Sequence, residues 1–190
     1  TNRESGRLRS MKETDDQTTR TRGAKVHSFL LNAGLIVVVF IAAMAWQSRN
    51  MLPADRQAAP PLRGMTLAGQ PYDLQSARGK PALVYFFAPW CKICGASAGN
   101  LNRLHRWRGP DDFEVVAVAL DWADAEEVRA YVERHDFKMT VLLADSSVRG
   151  QWQVYAYPSY YVLDSEHRIA RRDIGYSSQL GLLWRAWTVD

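Results

Sequence analysis

Cysteine is nearly absent from this chain: only Cys91 and Cys94 occur in 190 residues. A small fold stapled by several disulfides is therefore excluded, and so is a zinc ribbon, whose knuckles need four ligands. Histidine is scarce too. His27, His105, His135 and His167 stand at no ligand-pair spacing, so no metal is expected from them. Internal repeats and low-complexity tracts are lacking. Although the formal net charge is +4, residues 1–28 hold seven Lys/Arg against four acids and the rest of the chain is close to neutral. A near-neutral body does not fit phosphate binding, so nucleic acid is not expected as a partner.

Charge is missing altogether from Phe29 to Trp46, which reads FLLNAGLIVVVFIAAMAW. At about 1.5 Å per residue, a helix of that length spans roughly 27 Å, close to a bilayer core of about 30 Å. No helix of a small domain needs apolar character on every face. Arg20, Arg22 and Lys25 precede the run, and the positive-inside bias puts that end in the cytoplasm. The expected organisation is a flexible cytoplasmic tail over 1–28, a transmembrane anchor in membrane lipid over 29–46, an extended linker over 47–63 with Pro53, Pro60 and Pro61, and one exported domain over 64–190. A cleaved signal peptide is the competing reading, with Ala43-Met44-Ala45 as its site. The apolar run exceeds the usual h-region of about 7–15 residues, which favours the anchor.

Within the domain, Met65–Leu67 and Tyr72–Leu74 flank a turn signal, Ala68-Gly69-Gln70-Pro71. PALVYFFA (81–88) and FEVVAVAL (113–120) are continuous apolar runs, the mark of strands buried on both faces. Helical spacing recurs around 96–107, and over 125–135 behind an acidic first turn. Short elements are expected at 140–144 (strand) and 148–152 (helix), and strands at 160–163 and 168–174 form a hairpin. A last helix over 177–187 places Leu180, Leu183, Trp184 and Trp187 at i, i+3, i+4 and i+7, a stripe expected to face the core. The order of elements predicts an α/β fold with a mixed sheet flanked by helices.

The chemistry concentrates in Trp90-Cys91-Lys92-Ile93-Cys94, where the first buried strand gives way to a helix. A thiol at a helix's first turn faces unsatisfied N–H groups and the positive end of the dipole, which stabilise a thiolate. Cys91 is the candidate nucleophile. Cys94, one turn on, points inward and can resolve a mixed disulfide, and Lys92 adds a nearby cation. A structural disulfide closing two residues would remove little chain entropy. Copper handling by the two soft thiolates stays open as an alternative. A second feature is Tyr157-Pro158-Ser159, just before a strand. Proline cannot donate to a sheet and belongs at the strand's start. A cis Tyr157–Pro158 bond would present backbone polar groups beside the cysteine pair for an extended substrate; a trans proline starting an edge strand is the bland alternative. Asp121-Trp122 follows a strand and could line the site, but reads first as loop and helix start; Asp145 reads as a turn residue, and His105 and His135 as surface positions.

WCKIC after a buried strand, an inserted strand–helix unit and YPSYYVLD before a hairpin resemble the membrane-tethered thioredoxin-like proteins of bacteria, the TlpA/ResA group. The closing GYSSQLGLLWRAW is most similar to the ScsD type of protein disulfide oxidoreductase within it. The resemblance implies a thioredoxin-like fold on the periplasmic side of a bacterial inner membrane, held there by a single span. It implies thiol–disulfide exchange with exported substrate proteins, with no cofactor beyond a redox-active Cys91–Cys94 disulfide. A membrane thiol transporter of the DsbD/ScsB kind would supply electrons. Cys91 then matches the attacking cysteine, Cys94 the resolving one, Pro158 the cis-proline and Trp90 the shielding tryptophan; Tyr157 joins Trp90 and Pro158 on the substrate side. Three positions depart from the pattern. The buried carboxylate six residues before the first cysteine is Tyr85, a glutamate three residues after the second is Ser97, and a helix-kinking proline is Gly99.

Overall fold

The computed structural model describes residues 31–39, 42, 43, 46 and 48–189. The expected cytoplasmic tail and parts of the expected anchor lie outside them. Residues 31–39 are helical, with their apolar side chains exposed. Among the described residues no helix is long and apolar enough to cross a membrane.

From Gln47 onward the chain forms a separate compact unit. Seven strands make one sheet: β1 (Arg63–Thr66), β2 (Pro71–Asp73), β3 (Ala82–Phe87), β4 (Glu114–Ala119), β5 (Thr140–Leu143), β6 (Ser159–Leu163) and β7 (Ile169–Ile174). Their order is β2-β1-β5-β4-β3-β6-β7. β3, β4 and β5 run parallel, whereas β6 lies antiparallel to β3, β7 to β6, and β1 to both β5 and β2. The helices are α1 (Lys92–Arg108), α2 (Ala125–Arg134), α3 (Ser146–Gln151) and α4 (Gln179–Trp187). Each begins at a side-chain cap: Cys91, Asp124, Asp145 and Ser178 accept from first-turn amides. Gly109 ends α1 at φ +73, a conformation that costs glycine little. The mixed α/β architecture expected from the sequence is the observed one.

The continuous apolar runs are explained by two cores, one on each face of the sheet. Leu83, Tyr85 and Phe87 of β3 pack with α1, α2 and α4 through Leu101, Val128 and Leu182. Ala82, Val84 and Phe86 point the other way, toward Trp152, Tyr161 and Leu163. Among the described residues α3 is the one α-helix on that second face, and it buries none of its own side chains; the 3-10 turn Leu74–Ala77 adds Leu74.

This corrects the expectation of a free linker over 47–63. Met51 and Leu62 are buried in the second core. The segment runs along β7, exchanging backbone bonds Arg56 N to Ile169 O and Ile169 N to Gln57 O, at 3.0 and 2.8 Å. Arg172 Nη1 donates to Leu52 O at 2.9 Å. Asp164, almost wholly buried, receives Arg56 and Arg168 at 3.1 and 3.0 Å. Burial alone would raise its pKa, but the Arg168 amide and the two guanidinium groups outweigh burial and hold the carboxyl below the usual range. The physical reason for the docking is apolar area: without residues 51–62, this face of β3 and β6 would stand open to water.

A second correction concerns α4. The residues it buries are Leu182 and Ala186, while Leu180, Trp184 and Trp187 face outward and only Leu183 is half-buried. Periodicity identified a helix with an apolar stripe, but a different face of the helix meets the sheet.

Candidate active site

β3, an interior strand, ends at Phe87, and Pro89 and Trp90 turn the chain from its C-terminal end into α1. Cys91 N donates to Ala88 O at 3.0 Å, fixing the turn. Cys91 then caps α1: its Sγ accepts from Cys94 N at 3.2 Å, and its carbonyl accepts from Gly95 N at 3.4 Å. The sulfur therefore lies where the helix presents unpaired amides and partial positive charge. Cys91 and Cys94 are joined by a disulfide. Cys91 keeps 7% of its surface in solvent and Cys94 none, so of the two cysteines Cys91 is the one another molecule can touch. Lys92 and Ile93 between them are exposed.

Two tyrosines clamp this turn from below. Tyr131 of α2 donates from its hydroxyl to Cys91 O at 3.0 Å, and Tyr85 of β3 donates to Cys94 O at 2.9 Å. Burial pushes both phenols up, Tyr131 to about 12 and Tyr85 well above 10. At neutral pH both are hydrogen-bond donors and neither can take a proton from a thiol. Where the resembling family places a carboxylate, this chain has a neutral group already engaged. Ser97 is buried and back-bonds to Ile93 O at 3.4 Å. α1 runs unbroken through Gly99, where an added Cβ would meet nothing closer than an arginine tip at 3.9 Å.

Gly95 is different. A Cβ there would fall 2.3 Å from His135 Cε1, because the imidazole lies flat on the first turn of α1 and against the Tyr131 ring at 4.5 Å. His135 is thus half-buried packing rather than a solvated surface residue. Burial and neighbouring Arg134 lower its pKa, so it is neutral at pH 7.

The substrate-side residues meet at the same end of the sheet. Tyr157–Pro158 is a cis peptide bond. β6 pairs Ser159 with Phe86, which brings Pro158 level with the last residue of β3, and Pro158 O accepts from Gly175 N at 2.8 Å. The Trp90 and Tyr157 rings touch edge-on at 5.6 Å. Asp121 ties them together. Its carbonyl accepts from Trp90 Nε1 at 3.2 Å, and its carboxylate accepts from Tyr157 Oη at 2.9 Å and Arg149 Nη1 at 3.1 Å. Asp121 sits at φ +50, a conformation aspartate tolerates better than most residues. Burial and the Asp121 hydrogen bond push the Tyr157 phenol up.

Sequence reasoning placed Trp90, Cys91, Cys94, Tyr157 and Pro158, and the structure brings all five to one end of the sheet. Asp121, weighed as a site residue but read first as loop, belongs with them, whereas Arg149, Tyr131, Gly95 and His135 were missed. Only Asp121 carried a local signal, its place just after a buried strand; the others are joined by contacts across elements. Among the described residues no group of three or more His, Cys, Asp and Glu side chains is placed to hold a metal ion.

Comparisons with known proteins agree with this geometry. The family model described as AhpC/TSA matches residues 56–172. The "Thioredoxin-like protein YneN" of Bacillus subtilis is 28% identical over 151 residues, covering 75% of this chain and 88% of that protein. The "Thiol:disulfide interchange protein DsbE" of Pseudomonas aeruginosa is 27% identical over 165 residues, with 80% and 83% covered. The crystal structure of a thiol:disulfide interchange protein of the thioredoxin family from Chlorobium tepidum superposes with a TM-score of 0.65 at 20% identity, over 73% of this chain and 99% of that one. With most of its folded part matched by one family model, and its disulfide at the strand–helix turn of a thioredoxin-like fold, the chain belongs to the AhpC/TSA family, among members that exchange thiols and disulfides.

Proposed function

We propose that this protein reduces disulfides in exported proteins, with Cys91 as the nucleophile and Cys94 as the resolving thiol. The observation that carries the reading is the disulfide at the cap of α1, with Cys91 the member of the pair that keeps surface in solvent. In the reduced protein, Cys91 thiolate attacks one sulfur of a substrate disulfide, and the other leaves as a thiolate and takes up a proton. Cys94 then loses its proton, attacks the Cys91 sulfur and expels the second substrate thiolate. Two substrate thiols and a Cys91–Cys94 disulfide result. With Tyr85 already donating to Cys94 O, the proton from Cys94 passes to water. Trp90, Tyr157 and Pro158 form the surface on which an extended substrate segment would lie. No cofactor is involved, and recharging takes two electrons and two protons from a dithiol donor, such as a membrane transporter of the DsbD/ScsB kind.

The uncharged run 29–46 supports a single-pass anchor, with the catalytic unit in the periplasm of a bacterium and residues 1–28 in the cytoplasm. The closing GYSSQLGLLWRAW favours the ScsD type.

The test is insulin reduction by dithiothreitol, which the protein should accelerate and Cys91→Ala should abolish. Cys94→Ala should accumulate mixed disulfides through Cys91. A Cys91–Cys94 potential near about −270 mV supports the reductive direction, whereas one near about −120 mV reverses it. Tight stoichiometric copper binding with negligible exchange would replace this reading with copper handling.

A further inference from the structure

Among the described residues, α4 and the last turn of α1 leave an apolar face uncovered. Leu180, Trp184 and Trp187 are 80%, 58% and 70% exposed, and Trp107 is 72% exposed. Trp107, Leu183 and Trp187 line one open groove of about 620 Å³. Trp90, Trp122 and Trp152 each donate an indole N–H to a backbone carbonyl. The indoles of Trp107, Trp184 and Trp187 donate to nothing among the described residues.

The charges around the face have a sign. The Arg171 guanidinium stacks 4.7 Å from the Trp184 ring, and Arg108 lines the groove. Exposed Arg103 and Arg106 stand in the same last turns of α1 as Trp107. Among the described residues beside the face, Asp173 is paired with Arg185 at 2.7 Å, and Asp112 in the groove and Asp111 beside it stand against Arg171, Arg103 and Arg106.

We propose that this face rests on an anionic lipid bilayer. Indoles, apolar in body with one N–H donor, are the side chains that settle at headgroup depth. Arginine meets phosphate through two parallel N–H donors. A short helix with an apolar outer face flanked by arginines is the pattern of a helix lying in the interface plane. The proposal rests on the anchor reading of residues 29–46 only for keeping this unit near a bilayer. Trp107 and Cys91 are separated by nearly the full length of α1, about 24 Å, so docking would leave the disulfide accessible.

The experiment uses the full chain in vesicles of phosphatidylcholine, alone or mixed with phosphatidylglycerol, with brominated acyl chains as the fluorescence quencher. Subtracting the emission of a Trp107→Phe/Trp184→Phe/Trp187→Phe variant isolates these three indoles from the other four tryptophans. The difference emission should be quenched in the anionic vesicles and released by salt. Leu180→Glu, at an 80% exposed position, and Arg171→Gln should weaken docking, the latter about fivefold for the one positive charge lost. Insulin reduction by all variants should match the parent, which controls for folding. Difference emission reached by aqueous iodide but not by brominated lipid would overturn the proposal. Shielding from both quenchers, with copies cross-linking as concentration rises, would overturn it in favour of a contact between chains. Release of the full chain by carbonate would sink the anchor reading alone, since the same quenching would still report on this face.

Discussion

The two ends of α1 are built on opposite terms. At the first turn the cysteines and Gly95 are held by partners from other elements: Cys91 O by Tyr131, Cys94 O by Tyr85, and Gly95 by the face of His135. At the last turn Trp107 stands open, and α4 beside it turns its tryptophans outward. The same helix therefore carries a disulfide on a hydrogen-bonded turn at one end and displays apolar surface at the other. The difference teaches that helical periodicity reports an apolar stripe, while the neighbouring elements decide whether that stripe is core or contact surface.

Substitutions along α1 and its supports can break or sharpen that contrast. Gly95→Ala should have the largest effect, because the new methyl collides with the His135 ring. A loss of about 1–3 kcal/mol is expected in urea unfolding, with substantial recovery in a Gly95→Ala/His135→Ala double variant. Tyr131→Phe should come next, at about 1 kcal/mol, since Cys91 O loses its buried donor. A shift in the Cys91–Cys94 potential should accompany it if the clamp differs between oxidised and reduced protein. Gly99→Ala, two residues past the Ser97 that lies against the core, should instead stabilise by about 0.5–1 kcal/mol, because the position is open and the helix regular. Trp107→Gln should move stability least, within about 0.5 kcal/mol, as expected for an exposed side chain that packs on little. A large destabilisation by Trp107→Gln, or a neutral Gly95→Ala, would erase the distinction between the two ends.

Much of this was legible in the sequence because it is local. Continuous apolar runs gave the central strands, and a buried strand running into CxxC gave the strand–helix turn. A proline before SYYVL gave the start of β6. What stayed hidden needs partners far apart in the chain. Asp121 binds Trp90 from one side and Tyr157 from the other, across 31 and 36 residues. His135 explains Gly95 from forty positions away. The segment over 47–63 looked like a tether because its prolines and scattered polar residues carry no periodicity, yet Met51 and Leu62 bury themselves completely or nearly so.

By itself the sequence determined the place of the cysteine pair after a buried strand, the alternation of strands and helices, and the uncharged run ahead of them, since each is written in adjacent or periodic residues. Tertiary structure alone decided which of the two cysteines keeps surface in solvent, which face of α4 is buried, and which side chains clamp the first turn of α1. Those outcomes depend on how elements distant along the chain compete for the same apolar area and the same backbone donors and acceptors, and that competition is resolved only when they pack.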